Sequence, residues 1–104
     1  MTAPIRIQRK RTKGWRAPLN TVYVGRPTKW GNPCRAGMFK DYTHEQAVKD
    51  FARWLNRDST APWYVLKPPT TKEIRDALRG KNLSCWCPLD RPCHADVLLE
   101  LANR

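Results

Sequence analysis

Residues 83–98, Leu-Ser-Cys-Trp-Cys-Pro-Leu-Asp-Arg-Pro-Cys-His-Ala-Asp-Val-Leu, constrain the fold of this chain more than any other stretch. The front half, from Asn82 to Cys87, reads as a short strand. The back half, from about Pro92 to Ala102, reads as a helix. A strand that runs into a helix is the building unit of open α/β folds. Such folds bind ligands at the carboxyl ends of strands, where free N–H groups and the helix dipole favour anions. Three of the four cysteines, Cys85, Cys87 and Cys93, fall in this junction, and His94 follows the last of them.

The remaining pattern supplies partners for that unit. Residues 5–9 alternate apolar with polar, as a half-buried strand does, and Thr21–Val24 is a second strand with Val22 and Val24 on one face and Tyr23 on the other. Two capping boxes, Thr43-His-Glu-Gln46 and Thr70-Thr-Lys-Glu73, open helices over 44–57 and from Thr71 through Leu78, with Gly80 as a left-handed stop. Between the helices, 58–67 is a connector carrying Trp63 and Tyr64. The order is β-β-α-α-β-α, so the expected fold is α/β, a small, mainly parallel sheet flanked by helices.

Length bounds the rest. A chain of 104 residues is a single domain with one small core, divided here into a basic leader, 1–18, and a core, 22–104. Ten of the twenty Lys/Arg, and none of the nine Asp/Glu, lie in residues 1–40. This asymmetry points to a polyanion, nucleic acid or a nucleotide-like ligand, ahead of a merely soluble basic surface. No apolar run is long enough for a membrane span, and no signal sequence is seen. Closely spaced cysteines then read as reduced thiols, and the expected compartment is cytoplasmic.

Three readings of the Cys/His group compete. As a metal site, Cys85, Cys87, Cys93 and His94 offer four zinc ligands within ten residues. Against this, the spacing is not the usual knuckle, and adjacent Cys93 and His94 diverge by about 100° on a helix. As a reactive site, Cys93 stands in the first helical turn, where the dipole lowers a thiol pKa, with Arg91 beside it and His94 as acid/base or phosphate donor. As structure, Cys85 is core, and Trp86 is core on the opposite sheet face. The reactive or ligand-contacting reading is preferred; no cofactor is expected, with zinc as the alternative.

Gly25–Pro33 is a turn-rich loop whose Arg26, Lys29, Trp30 and Asn32 suit phosphates and flat rings. It is neither a Walker loop nor a G-x-G-x-x-G loop. Its bland reading takes Trp30 as a core plug, with Arg26 and Lys29 solvated. Arg9, Lys10, Arg11, Lys13 and Arg16, with Trp15 among them, form the best candidate for sequence-independent phosphate contacts.

Two blocks, Tyr23-Val-Gly-Arg-Pro-Thr-Lys-Trp-Gly-Asn-Pro33 and Leu78 to Asn103 with its Cys-Trp-Cys-Pro and Cys-His-Ala segments, resemble the small bacterial and phage proteins of domain-of-unknown-function family 4326. The resemblance runs from about Val22 to the end, with Ala95 where the family's usual triplet has glycine. It implies no activity. The expected function is therefore read from the residues. A phosphate-bearing ligand would bind between the basic loop and the start of the last helix, with Cys93 and His94 as candidate catalytic groups. Two alternatives are a non-catalytic, zinc-stabilised nucleic-acid-binding module and a phage-type regulatory protein that docks to a host protein.

Overall fold

In the computed structural model, residues 3–26, 28–34, 37, 40–57 and 67–104 are described. The expected connector lies outside them apart from Lys67. The strands are β1 (Arg6–Gln8), β2 (Thr21–Tyr23) and β3 (Asn82–Cys85), and the helices are α1 (His44–Leu55), α2 (Thr71–Leu78) and α3 (His94–Asn103). The order is the expected one. All pairing is parallel, with β3 in the middle and β1 and β2 on either side.

The last strand is central, and its residues are the least exposed of the three: Leu83 and Ser84 are fully buried. Both neighbours bond to it, through Leu83 N–H to the Ile5 carbonyl (3.1 Å) and Val24 N–H to the Ser84 carbonyl (3.0 Å). In a parallel pair, residues in register share a face. Arg6, Leu83 and Val22 are in register, as are Ile7, Ser84 and Tyr23. The two faces therefore differ. Val22, Val24, Leu83 and Cys85 join Phe51, Trp54, Ile74, Leu78, Leu98 and Leu101 in one apolar cluster beneath the helices.

Both capping boxes form. Thr43 Oγ1 accepts from Gln46 N–H (3.2 Å) while Gln46 Oε1 accepts from Thr43 N–H (2.9 Å). Thr70 and Glu73 repeat the exchange at 3.1 and 3.2 Å. Gly80 takes the left-handed conformation (φ +78°), where a side chain would be strained, and its N–H donates to Asn103 Oδ1 at 3.0 Å. That bond ties the end of α2 to the end of α3.

The sheet's other face is covered differently. Among the described residues, it is an arginine on aromatic rings that covers it. Arg9 Cζ lies 4.7 Å from the ring centre of Tyr23, 5.3 Å from Trp86 and 5.7 Å from Trp15. Arg11 adds a second guanidinium 4.7 Å from Trp86. Trp86 is consequently 41% exposed, not the core residue that alternation suggested. It stands beyond the last ladder residue of β3, with Arg9 and Arg11 over its ring.

Candidate metal centre and adjoining cavity

The strand-to-helix junction turns Cys85, Cys93 and His94 toward one another, with Cys87 beside Cys85. Cys85 Sγ is 3.8 Å from Cys87 Sγ and 3.9 Å from His94 Nδ1, and Cys93 Sγ is 3.6 Å from His94 Nδ1. Ligand atoms of Cys85, Cys93 and His94 all lie within 4.8 Å of one another, close enough to hold a metal ion. These three residues are buried, and Cys87 is half-buried.

The 100° divergence expected between Cys93 and His94 does not arise. Cys93 is the residue before the helix, with extended backbone (φ −145°, ψ 150°), and only His94 is helical. Angular spacing on a helix applies between two helical residues, so it never governed this pair. Nor does Cys93 face solvent, since it is fully buried. Its N–H donates to Asp96 Oδ2 (3.0 Å), which fixes the turn from extended chain into helix.

His94 is held from its far side. Nε2 lies 2.8 Å from the Val24 carbonyl oxygen, which can only accept, so Nε2 carries the proton. Nδ1 is thereby left as a lone pair among the thiols. Metal-bound histidines commonly show this arrangement, with the second nitrogen anchored to a carbonyl. The ring also meets Phe51 edge-on, centres 5.3 Å apart.

Three thiols this close cannot ionise independently. Hydrogen bonds from Cys87 and Cys93 hold the Cys85 thiol far below its ordinary range. The Cys85 thiolate in turn pushes Cys93 and Cys87 up. A bound cation would favour ionisation of all three thiols. Arg6 contributes nearby positive charge that lowers Cys87. Its guanidinium is 92% buried, since only 8% of the side chain is exposed; it pairs with Asp96 (3.2 Å) and donates to the Leu89 and Arg91 carbonyls at 3.1 and 2.6 Å. This arginine braces the whole Cys87–Cys93 turn.

Beside the cluster is a cavity of about 490 Å³ at the carboxyl ends of β2 and β3. Gly25, Arg26 and Asn32 of the loop line it together with Cys85, Cys87 and His94, so the two segments do meet. The loop's polar groups, however, are largely engaged within the protein. Arg26 Nε–H donates to the Asn32 carbonyl (3.0 Å) and Nη2 to the Cys34 carbonyl (3.2 Å). Asn32 is buried, donating to the Ala47 carbonyl (3.0 Å) and accepting from Cys34 N–H (2.8 Å). Trp30 is buried in the core. Lys29 lies over Trp30 and pairs with Glu73 (3.0 Å), lining a different cleft. Arg91 is exposed and is not among the cavity's lining residues.

Sequence reasoning missed Tyr23, His44 and Trp86 as cavity residues. The alternation that put Tyr23 opposite Val22 and Val24 was the available signal for the first. His44, whose Nε2 is 2.6 Å from the Pro92 carbonyl, gave none.

No curated protein and no solved structure matches the chain. The family match starts at Ile7, so most of the basic segment lies within the shared domain and not outside it. With a family model matching residues 7–104, the chain belongs to the family described as Domain of unknown function (DUF4326).

Proposed function

We propose that this protein is a zinc-stabilised nucleic-acid-binding module. In this reading Cys85, Cys87, Cys93 and His94 hold one zinc ion, and the segment from Arg9 to Arg16 contacts the sugar-phosphate backbone. The distances among the ligands support zinc. A tetrahedron with Zn–S near ~2.3 Å and Zn–N near ~2.0 Å has edges of about 3.8 Å between sulfurs and about 3.6 Å between sulfur and nitrogen. The corresponding separations here are 3.8 Å between Cys85 and Cys87 and 3.6 and 3.9 Å from sulfur to His94. Four protein ligands close the coordination sphere, which is the pattern of a structural and not a catalytic zinc.

The observation that carries the nucleic-acid reading is the seating of Arg9 and Arg11 on Tyr23 and Trp86. A basic segment is thereby fixed to a folded face that also offers flat rings. Lys10, Lys13 and Arg16 on the same segment are exposed and directed to solvent or ligand. Lys29 and Asn32 support a small phosphate pocket less well, because both already have partners within the chain.

Binding of a labelled oligonucleotide across a salt series, before and after chelation, tests this. The expected slope of log K against log salt is about −3 or steeper, as four or more phosphate contacts require. Chelation should weaken binding, and added zinc should restore it. Absence of binding at low salt, or a metal-free preparation that binds and unfolds as the untreated protein does, would overturn the proposal.

A further inference from the structure

The cavity at the strand ends has a size, a lining and a charge pattern that specify its occupant more narrowly. Its volume of about 490 Å³ lies within the range of small-ligand sites, roughly 300–1,000 Å³. Two aromatic rings, Tyr23 and Trp86, contribute to its walls, and none of its described lining residues is a carboxylate. Gly25 lies against the Tyr23 ring so closely that a Cβ would be 2.7 Å from Cζ. The Tyr23 hydroxyl is fixed by donation to the Arg26 carbonyl at 2.8 Å. One wall is thus held rigid, while Trp86 on the other side remains 41% exposed.

Arg26 supplies a positive charge among the cavity's described lining residues. Cys85 and Cys87 border the cavity, and three thiolates holding one divalent cation there would carry net negative charge. Such an end repels a phosphate and tolerates a neutral flat ring. Arg9 and Arg11 lie over the ring of Trp86, next to the cavity and not among its described lining residues. Arg9 Nε is buried there and has no hydrogen-bond partner. Arg11 is exposed, so its guanidinium can leave the tryptophan for a phosphate without unpacking anything.

We infer that this cavity receives one unpaired nucleobase of a single strand, stacked on Trp86, with its flanking phosphate at Arg9 and Arg11. The inference rests on the nucleic-acid reading above and narrows it to single-stranded substrate. Bases within a duplex are stacked on each other and cannot enter a pocket of this kind, whereas aromatic platforms with arginines are the common means of holding unpaired bases.

The test compares a labelled twelve-nucleotide oligothymidine with a hairpin duplex carrying similar charge. The parent should prefer the single strand. Trp86→Ala should weaken single-strand binding by about 5- to 100-fold, the usual worth of one base–aromatic stack, and weaken duplex binding by less, since there it only loosens the seat of Arg9 and Arg11. Trp86→Phe should recover most of the loss. Zinc content and urea midpoint, expected to match the parent because Trp86 is half-exposed, show that the variants are folded. If both probes bind equally and Trp86→Ala weakens both alike, the base pocket is wrong while the basic-segment reading stands. If neither probe binds, the nucleic-acid reading fails and the pocket with it.

Discussion

The ring of His94 is bonded through Nε2 to the main-chain oxygen of Val24, 2.8 Å away and seventy residues earlier in the chain. This bond joins the start of the last helix to the end of an edge strand. It also decides which ring nitrogen faces the thiols, so structural integrity and the proposed metal site converge on one side chain.

Replacing His94 with alanine should therefore cost both. Loss of the Val24 bond and of the edge contact with Phe51 leaves a buried carbonyl unpaired and a void in the core. A destabilisation of at least ~2 kcal/mol is expected, read by urea unfolding. A midpoint close to that of the parent would mean that the ring is not held as described.

The four cysteines should divide into one outsider and three ligands. Cys34 lies apart from the cluster, its thiol raised mainly by burial against the opposing effect of a hydrogen bond with Tyr42. Cobalt substitution should give thiolate-to-metal charge-transfer absorption that survives Cys34→Ala and disappears or shifts in Cys85→Ala. Equal spectra for the two variants would count against the assignment.

Arg6 should act as the brace of the ligand turn. Arg6→Gln leaves the Leu89 and Arg91 carbonyls short of a donor and Asp96 without its cation. Because the Asp96 side chain is 49% exposed, the ion pair is discounted for solvent, and the expected loss is about 1–3 kcal/mol. Transfer of metal to a competing chelator should also become several-fold faster. Unchanged transfer kinetics would show that the turn keeps its shape without this arginine.

Gly25→Ala should be poorly tolerated although the site has ordinary backbone freedom. The added methyl would meet the Tyr23 ring, 2.7 Å from Cζ and closer still to the hydroxyl. Tyr23 must then move and release the Arg26 carbonyl, at an overpacking cost of about 1–3 kcal/mol. Tyr23→Phe in the same background should not relieve the clash with the ring, whereas Tyr23→Ala should. Thermal unfolding of the four proteins decides the point.

Local pattern determined much of this protein. Thr43 with Gln46 and Thr70 with Glu73 announce their helices because a capping box closes within one turn. Alternation in the strands separates Val22 and Val24 from Tyr23, and the element order follows from such signals alone. The identity of the metal-ligand candidates was legible for the same reason, all four lying within ten residues. Their convergence was not legible. It depends on Cys93 being extended rather than helical, on His94 being turned by Val24, and on Arg6 bonding to a carbonyl 85 residues away. The same is true of the loop, where Asn32 and Arg26 look like ligand donors until their partners at Ala47 and Cys34 are placed. Periodicity reports which face of its own element a residue occupies. Which donor meets which acceptor across the fold is fixed only when the elements pack, and here that packing assembled the Cys/His cluster and directed most of the loop's polar groups inward.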